Sequence, residues 1–236
     1  MDHMQKGSFI VIDGTDGSGK GTQAKKLIER IQASGRAVEL MDFPRYGNPS
    51  AYFVEKYLRG EYGSLSEIDA YRASLFYALD RYDASHDIRA KLNAGTIIVS
   101  NRYVSANKGH QMAKIQDPAQ RKEFLAWLNE LEYVKLGIPK PDQTIFLHVP
   151  YQIGYELVAQ KDMKGYLDGK IRDIHESDKG HLQSAELAYL ALPELDAEEH
   201  WSIVECTQDG KLLSIEEIHE RLWQHVTALG LSSSIH

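Results

Sequence analysis

The sequence has only one cysteine, Cys206, among its 236 residues. A single cysteine excludes an internal disulfide and any metal site built from several cysteines. Long hydrophobic runs are also missing, since no stretch approaches the roughly 18 to 20 apolar residues that a membrane-spanning helix requires. No secretory signal peptide is recognisable. We therefore expect a cytoplasmic protein that does not associate with a membrane.

An excess of positive charge is absent as well. Lysine and arginine number 27 against 34 aspartates and glutamates, which gives a formal net charge of −7. This balance argues against a broad basic face for duplex nucleic acid, so we expect no nucleic-acid partner. Any phosphate site must then be a local basic pocket. Hydrophobic residues make up 42% of the chain, enough for the core of one domain of this length.

Short apolar runs alternate with segments of helical periodicity along the whole chain. Strands are predicted at residues 8–13, 37–43, 96–100, 143–149 and 201–205. Helices are predicted after the first strand up to Gly35, twice within 52–92 with a break at 60–66, and at 105–116, 118–136, 151–161, 184–192 (ended by Pro193) and from Ser214 onward. This alternation predicts an α/β fold, a five-stranded parallel sheet flanked by helices, with ligands at the carboxyl ends of the strands.

The domain boundaries follow from the same patterns. Residues 1–7 carry no apolar pattern and are predicted to be disordered, residues 8–230 form one domain, and residues 231–236 form a flexible tail. Within 52–92, the residues Ile68, Tyr71, Leu75, Leu79 and Tyr82 fall on one apolar helical stripe. The final helix is predicted to begin with a capping box between Ser214 and Glu217.

A glycine-rich segment joins the first strand to the first helix, in the context that a phosphate-binding loop requires. Its glycines let backbone amides turn toward an anion, the helix start adds partial positive charge, and the lysine reaches the outer phosphates of a nucleoside triphosphate. The predicted ATP-binding residues are Gly14, Asp16, Gly17, Ser18, Gly19, Lys20, Gly21 and Thr22.

Two positions of this loop depart from the usual pattern. Gly21 occupies the place of the usual Ser or Thr, and Thr22 follows one residue later, where it faces the metal less securely. Asp16 places a carboxylate among phosphate-seeking amides, which is costly unless the carboxylate faces a cation or a hydroxyl. Asp16 is therefore expected to point toward a second substrate or a magnesium ion, and a simple turn-forming role is the alternative.

Several segments in order along the chain resemble thymidylate kinases. They are the loop itself, DFPRYG at 42–47, FYALDR at 76–81, NRYVSAN at 101–107, GIPKPD at 137–142 and DIHE at 173–176. The loop alone is shared by many phosphoryl-transfer enzymes, whereas the combination is specific. The resemblance implies a P-loop NTPase three-layer fold with a mobile lid. It also implies a homodimer that transfers a phosphoryl group from ATP to thymidine monophosphate with Mg²⁺, for dTTP synthesis.

The resemblance also assigns residues to the acceptor nucleotide. Tyr77 and Arg81 lie four residues apart on a predicted helix, so one is expected to stack on the pyrimidine while the other bonds its carbonyl. The family pattern has Phe near this place, so Phe76 remains the alternative stacking ring. Without the resemblance, a core aromatic beside a surface arginine is the simpler interpretation.

The segment after the third strand supplies the next group. Arg102 is expected to hold the acceptor phosphate and to neutralise charge on the transferred group, which gives it a catalytic role beside Lys20 and Asp16. Asn107 resembles the residue that bonds the thymine imide, with Gln111 supporting it, although local capping is common for such a pair. His110 takes the place of a tyrosine near the sugar. Tyr46, after the second strand, is the last of these contacts.

Residues 161–179 are rich in charge of both signs and are expected to form the lid. Position 17 is glycine, so the cation for the developing charge is expected from the lid. Arg172 is the first choice, and Lys164 and Lys170 are alternatives that spacing does not separate. The resemblance places Asp173, His175 and Glu176 opposite the acceptor, and a charged solvated loop is the competing interpretation.

Asn101 is the clearest departure from the family pattern, which typically has Asp there to help organise magnesium. The metal ligands are then expected to be Asp16, Thr22 and Glu176, together with the ATP phosphates, and Asp13 is a further carboxylate to consider. Two other functions stay open. One is another nucleoside or nucleotide kinase, and the other is a nucleotide-binding regulator with impaired catalysis, which Asn101 and the shifted Thr22 suggest.

Overall fold

The computed structural model describes residues 6–159 and 179–231. Its centre is a sheet of five parallel strands in the order β2-β3-β1-β4-β5. The strands are β1 (Phe9–Asp13), β2 (Val38–Asp42), β3 (Ile97–Asn101), β4 (Gln143–His148) and β5 (Trp201–Glu205). The five predicted strands and the predicted α/β fold are confirmed, with strand ends shifted by a residue at most.

Eight α-helices lie within the described part of the chain. They are α1 (Lys20–Ala33), α2 (Tyr52–Leu58), α3 (Ala70–Asn93), α4 (Val104–Met112), α5 (Pro118–Asn129), α6 (Tyr151–Ala159), α7 (Lys179–Leu195) and α8 (Ile215–Val226). Two of them continue as π-helical turns, α5 into Glu130–Lys135 and α8 into Thr227–Leu231. None of the helices in 6–159 and 179–231 combines the length and the apolar character needed to cross a bilayer.

The central strand β1 is buried throughout because helices cover both faces of the sheet. Alternate residues of β1 point to opposite sides, so Phe9 and Val11 belong to one apolar cluster while Ile10 and Ile12 belong to another. The first cluster includes α3, α4, α5 and α7, and the second includes α1 and α8. This is the three-layer arrangement that the alternation of strands and helices predicts.

Local sequence signals place several helix ends correctly. Ser214 caps α8 in the predicted capping box, its hydroxyl accepting from the Glu217 amide while the Glu217 carboxylate accepts from the Ser214 amide. The predicted break between the first two helices of 52–92 lies between α2 and α3, where Asp69 caps α3. Both ends follow from side chains that satisfy amides without a partner inside the helix.

The prediction for α7 is wrong at both ends. The helix begins at Lys179 rather than Ser184, and Pro193 lies inside it, two residues before its end at Leu195. Packing of Tyr189 and Leu192 in the core outweighs the local disruption from proline near the end of the helix. A short hairpin, β6 (Thr207–Gln208) and β7 (Lys211–Leu212), was not predicted, because its strands are too short to show periodicity.

The predicted apolar stripe divides in the structure. Ile68 lies before α3 and packs against a small cluster around Tyr57, whereas the other four residues lie on α3 and face outward. Tyr71, Leu75, Leu79 and Tyr82 are between 38% and 48% exposed. The opposite face of α3 is buried. Apart from Ile88 and Leu92 it is made of small or polar residues, among them Ala73, Ser74, Ala78, Asp80, Arg81, Ala84 and Ser85. A stripe of this kind normally faces the core. Here Tyr71 packs edge-on against Phe124 and Trp127 of α5, and the rest of the stripe forms an exposed apolar surface.

A buried ion triad connects α4 to the segment between α7 and β5. Lys108 is fully buried, and its Nζ lies 2.6 Å from Asp196 Oδ2 and 2.6 Å from Glu199 Oε1. Thr144 on β4 donates to Glu199 at 2.8 Å, and Tyr133 also donates to that carboxylate. Because every charge has a partner of opposite sign, the triad ties α4 to β4 and to the segment before β5.

We expect Lys108→Met to reduce the free energy of unfolding by about 3–5 kcal/mol, because it leaves two buried carboxylates without their cation. Urea denaturation at neutral pH measures the change. Lys122→Met, at an exposed position of α5, is the matched control and should change stability by less than about 0.5 kcal/mol. Equal stability of the two variants would contradict the role given to the triad.

Candidate functional site

The glycine-rich loop turns directly from β1 into α1. Gly19 precedes the helix with φ +81°, a left-handed conformation that favours glycine. Lys20 is buried, and its Nζ donates to the carbonyls of Gly14 at 2.9 Å and Thr15 at 2.8 Å. The lysine thus folds back over its own loop, with its charge held at the point where the α1 amides begin. This arrangement is suited to an anion.

The loop is in close contact with the start of α6. A Cβ atom built on Gly17 would lie 2.3 Å from the carbonyl oxygen of Gly154, and one built on Gly154 would lie 2.6 Å from the carbonyl oxygen of Asp16. Contacts this short are incompatible with a side chain at either position. Gly17 is therefore required by packing, in addition to the conformational freedom given by its φ of +85°.

Asp13 ends β1 beneath the loop and is completely buried. Its carboxylate accepts hydrogen bonds from Ser105 Oγ at 2.5 Å, the Gly14 amide at 2.8 Å and Tyr189 OH at 3.0 Å. Burial raises the pKa of Asp13, and the charge of Arg102 opposes that shift. With these partners, Asp13 connects the loop to α4 and α7, and it acts as a structural anchor of the site.

A cleft opens beside the loop at the carboxyl edge of the sheet, with an empty volume of about 470 Å³. All the predicted acceptor-binding residues that the structure describes line it. They are Asp16, Tyr46, Tyr77, Arg81, Arg102, Asn107, His110 and Gln111. Phe43, Pro44, Leu58, Tyr103 and Ala106 complete its lining. The fold therefore brings into one cleft predicted residues that are up to 95 positions apart in the chain.

Arg102 connects the loop to the cleft. Its backbone has φ +66°, and its guanidinium is bonded to the Asp16 carboxylate. Burial lowers the pKa of Arg102, but the carboxylates of Asp16 and Asp13 outweigh that effect and hold it well above the ordinary value. The arginine is charged at any physiological pH. In the described part of the chain, its buried Nε makes no hydrogen bond, so one donor is available to a ligand.

Arg81 has a partner that the sequence did not reveal. Its side chain is buried, and its Nε donates to Glu132 Oε2 at 3.0 Å while Nη2 donates to the other oxygen of the same carboxylate. Its Nη1 also donates to the Tyr103 carbonyl at 3.2 Å. These bonds fix the plane of the guanidinium against one wall of the cleft. Glu132 lies 51 residues away, in the π-helical turn after α5.

Tyr77, rather than its neighbour, lines the cleft. Phe76 packs against Phe53, Tyr57 and Tyr62 outside it, with ring centroids 6.2, 5.9 and 5.4 Å away. Tyr77 also touches the ring of Tyr57, at a centroid distance of 6.2 Å. The two aromatic residues are adjacent in sequence, so the helical turn between them directs only one ring to the cleft.

Helix α4 contributes three residues to the wall. Asn107 is buried and donates from Nδ2 to the Ser74 carbonyl at 3.2 Å, which ties α4 to α3 and is not a local cap. Gln111 is buried, and its Oε1 has no hydrogen bond among residues 6–159 and 179–231. A buried acceptor of this kind normally has a partner, so it is suited to a donor on a ligand.

His110 is the third α4 residue of the wall. Its ring stacks against His181 at a centroid distance of 5.8 Å and meets Tyr189 edge-on at 5.7 Å. Burial, with the charge of Arg102, lowers the pKa of His110 well below its ordinary value. The imidazole is therefore neutral at physiological pH.

The turn after β2 separates two neighbouring residues. Tyr46 lines the cleft and is 39% exposed. Arg45 does not line it, because its Nε and backbone amide both donate to the buried carboxylate of Asp80 at 2.9 Å. Its Nη2 also donates to Asp83 at 2.6 Å. Arg45 is therefore paired with carboxylates of α3 and is not directed at the cleft.

The structure describes two of the three predicted metal ligands. Thr22 is exposed on the first turn of α1, Asp16 is paired with Arg102, and Glu176 lies outside the described residues. Residues 6–159 and 179–231 contain no group of three or more His, Cys, Asp or Glu side chains arranged around a metal. Oxygen donors suited to Mg²⁺ are nevertheless present, including the buried Oδ1 of Asn101, which has no hydrogen bond in the described ranges.

The predicted lid also falls mostly outside the described residues. Arg172, Lys164 and Lys170, and the acceptor-side residues Asp173 and His175, belong to 160–178, of which the structure gives no description. Only Lys179 of the predicted lid is described, and it begins α7.

At the end of β4, His148 lies between two carboxylates. Its Nδ1 is 2.7 Å from Glu205 Oε2, and its Nε2 is 2.9 Å from Glu186 Oε1. Burial lowers the pKa of His148, but the hydrogen bonds to Glu186 and Glu205 outweigh that effect and raise it above its usual value. Glu186 also accepts from the Tyr151 amide at 2.9 Å, so the imidazole joins β4, β5 and α7 at the start of α6.

Comparison with known proteins gives a consistent result. The family model described as thymidylate kinase matches residues 12–221. The thymidylate kinase of Mycobacterium tuberculosis H37Rv is 32% identical over 209 residues, which cover 86% of this chain and 94% of that protein. The Homo sapiens thymidylate kinase is 26% identical over 216 residues, covering 92% and 88% respectively.

The fold has a close counterpart among solved structures. Thymidylate kinase from Candida albicans superposes with a TM-score of 0.70, and the match covers 96% of this chain and 93% of that chain. Sequence identity in this match is 22%, so it supports the fold alone.

The arrangement around His148 makes stability depend on pH. We expect the stabilising effect of its ion pairs to be present in full below the unfolded-state pKa of about 6.5 and to be lost as pH rises through the higher folded-state value. Wild type should therefore exceed His148→Gln in free energy of unfolding by more at pH 5.5 than at pH 9, as measured by urea denaturation. His86→Gln, at an exposed position of α3, is the control and should show no such difference. A difference independent of pH would contradict the charged state.

Proposed function

The chain belongs to the thymidylate kinase family, and we propose that the cleft and the glycine-rich loop together transfer the terminal phosphoryl group of ATP to thymidine monophosphate. Phosphorylation of thymidine monophosphate is the activity of this family, and the chain matches it over nearly its whole length. The residue roles, the metal, the dimer and the location given below are our proposals. The product is a precursor of dTTP.

One observation carries the residue assignments. All eight predicted acceptor-binding residues within the described ranges line a single cleft, and that cleft shares Asp16 with the loop. The loop accounts for one nucleotide and the cleft for a second. Phosphoryl transfer requires two such sites that meet end to end, because the attacking and leaving oxygens must be in line.

On the donor side, the loop amides and Lys20 are proposed to bind the ATP phosphates. The Lys20 ammonium now bonded to two loop carbonyls is in place to exchange them for phosphate oxygens. We assign Gly14, Gly17, Ser18, Gly19, Gly21 and Thr22 to the same site. Mg²⁺, when bound, neutralises charge between the phosphates, and Asp16, Thr22 and Glu176 are proposed to help hold it.

On the acceptor side, Arg102 is proposed to bind the monophosphate through the Nε that lacks a protein partner in the described ranges. Tyr77 stacks on the pyrimidine, Arg81 bonds a base carbonyl and Asn107 bonds the imide, with Gln111 Oε1 as a second acceptor. Tyr46 and His110 border the sugar. The pairing with Glu132 favours this role for Arg81, because it presents a rigid guanidinium edge to a planar base.

A lid formed by 161–179 is proposed to close over both nucleotides. Its exclusion of water prevents wasteful hydrolysis of ATP. Arg172 is the first candidate for the cation on the transferring group, with Lys164 and Lys170 as alternatives, while Asp173 and His175 face the acceptor. The glycine at position 17 supports this proposal, since the contact with Gly154 leaves no room for a basic side chain there.

The apolar stripe of α3 is proposed to form a homodimer interface. Four large side chains on one face of a single helix, each more than a third exposed, match the contiguous apolar patches that mark protein interfaces. The protein is also proposed to be cytoplasmic and to bind no nucleic acid. The buried free thiol of Cys206 agrees with a reducing compartment, and the net charge of −7 disfavours nucleic acid.

An acceptor panel tests the function directly. Thymidine monophosphate, deoxyuridine monophosphate, uridylate, adenylate and thymidine are each incubated with ATP, with and without Mg²⁺, and nucleoside diphosphate formation is followed by a coupled assay. We expect thymidine monophosphate to be the best acceptor, and we expect EDTA to abolish turnover. Preference for a purine acceptor would contradict the base contacts, and tight nucleotide binding without transfer would indicate a regulator.

Within the same assay, Lys20→Ala tests the donor site. We expect its kcat to fall by about 10²- to 10³-fold, the size of effect seen when one charge-stabilising donor is removed. Binding of thymidine monophosphate, measured by calorimetry, should change little. Lys122→Ala, at an exposed position of α5, is the control and should keep wild-type turnover. Unchanged turnover in Lys20→Ala would refute its role.

The dimer is tested by charge insertion. We expect Leu79→Lys to convert the dimer to a monomer in sedimentation velocity at micromolar concentration, because a lysine at the centre of an apolar interface is costly to bury. Leu187→Lys on α7, at a position 59% exposed, is the control and should remain dimeric. A monomeric wild type would exclude the dimer. Dissociation by Leu187→Lys and not by Leu79→Lys would place the interface elsewhere.

A further inference from the structure

Two polar side chains meet at the ends of β2 and β3, outside the cleft already described. Asp42 and Asn101 are the last residues of these neighbouring parallel strands and are directly paired in register. Asn101 Nδ2 donates to Asp42 Oδ1 at 2.9 Å. The other end of the same amide, Oδ1, is buried and makes no hydrogen bond within 6–159 and 179–231.

This pair faces the first turn of α1. The nearest atom to a Cβ built on Gly21 is Asn101 Nδ2, at 4.0 Å. The Asp42 carboxyl lies within electrostatic influence of Arg102, Lys20 and Lys25. Lys20 belongs to the loop, and Arg102 to the acceptor side. The Asp42 carboxylate and the Asn101 amide group therefore lie beside the loop that is proposed to bind ATP.

The loop itself is poor in oxygen donors at this place. Proteins with such loops hold Mg²⁺ through a Ser or Thr after the lysine and a carboxylate at a nearby strand end. In this chain Gly21 has no hydroxyl and Asn101, beside β1, has no charge. The chain thus lacks both the usual hydroxyl and the usual carboxylate for Mg²⁺ on this side of the loop. The one carboxylate at the ends of β2 and β3 is that of Asp42.

We propose that Asp42 supplies from β2 the carboxylate that Asn101 lacks, and that Asp42 and the free Oδ1 of Asn101 together hold the hydration shell of the Mg²⁺ bound to the nucleotide. Mg²⁺ keeps several of its waters in such sites, so the two side chains are proposed to act on bound water and not on the metal directly. The inference rests on the proposed function of the loop as the ATP site.

The amide of Asn101 has a defined part in this arrangement. By donating to Asp42 it fixes one carboxylate oxygen and turns its own carbonyl oxygen the other way. Partial burial raises the pKa of Asp42, while Arg102, the Asn101 hydrogen bond, Lys20 and Lys25 oppose the shift. The net shift of the Asp42 pKa is upward, and the three nearby cations only limit that shift.

The competing explanation is that Asp42 only clamps β2 to β3. Asp42→Asn separates the two, because the asparagine keeps an oxygen to accept from Asn101 and loses only the charge. Asp42→Ser is a second variant with a shorter acceptor. The exchange variant Asp42→Asn/Asn101→Asp returns one carboxylate to the pair. Asp87→Asn, at an exposed position of α3, is the matched control.

The main measurement is Mn²⁺ binding to the protein in the presence of ADP, followed by electron paramagnetic resonance with Mn²⁺ as the probe. Loss of a group that orients metal ligands typically costs about 10- to 100-fold in metal affinity. We expect Asp42→Asn and Asp42→Ser to weaken Mn²⁺ binding about tenfold, at the low end of that range. The exchange variant should recover most of the loss, and Asp87→Asn should match wild type.

Kinetics provide the second measurement. The Mg²⁺ concentration for half-maximal turnover should rise by a similar factor in both Asp42 variants, while the KM for thymidine monophosphate stays the same. Wild-type Mn²⁺ affinity in a folded Asp42→Asn protein would overturn the proposal and leave only the clamp. If circular dichroism shows one Asp42 variant to be unfolded, the other variant decides.

The proposed metal contact of Asp42 and the proposed acceptor can be tested independently. Mn²⁺ binding with ADP requires no acceptor, so it tests Asp42 even if the acceptor panel contradicts thymidine monophosphate. Conversely, phosphorylation of thymidine monophosphate with wild-type Mn²⁺ affinity in Asp42→Asn would leave the function intact and remove Asp42 from the metal site.

Discussion

The parallel pairing of β1 with β3 on one side and β4 on the other is the constraint on which the rest of the structure depends. Because parallel strands end at the same edge, it brings the glycine-rich loop, Arg102 and His148 within one region from three distant parts of the chain. The site needs no other device to bring these residues together. What remains for the side chains is to fix orientation and to balance charge.

Three buried or partly buried cations of the molecule are each paired with carboxylates. Although the chain is acidic overall, it buries Arg81, partly buries Arg102 and buries Lys108. Each has a carboxylate partner within the fold, respectively Glu132, Asp16 and the Asp196–Glu199 pair. A buried charge without a partner costs several kcal/mol, so these pairs let Arg81 and Arg102 line the cleft and let Lys108 anchor α4 without a basic surface. The net negative charge and a phosphate site are therefore compatible.

Much of this fold was predictable because its signals are local. The five strands are short apolar runs, the loop follows the first of them directly, and the capping box of α8 needs only four consecutive residues. The spacing of Tyr77 and Arg81 was informative for the same reason. Partners such as Glu132 for Arg81, or Asp196 for Lys108, were not predictable, since only the folded chain brings residues 51 and 88 positions apart into contact. The helical position of Pro193 was missed because tertiary packing outweighed the local effect of proline.

The contact between Gly17 and Gly154 has a consequence for how this protein can evolve. Each of the two residues is small because the backbone of the other segment occupies the space of its side chain. Neither can gain a side chain by a single mutation, and a larger residue at one position is not compensated by any change at the other, since glycine is already the minimum. The loop and α6 must therefore keep glycine at both positions as long as the two backbones remain in contact.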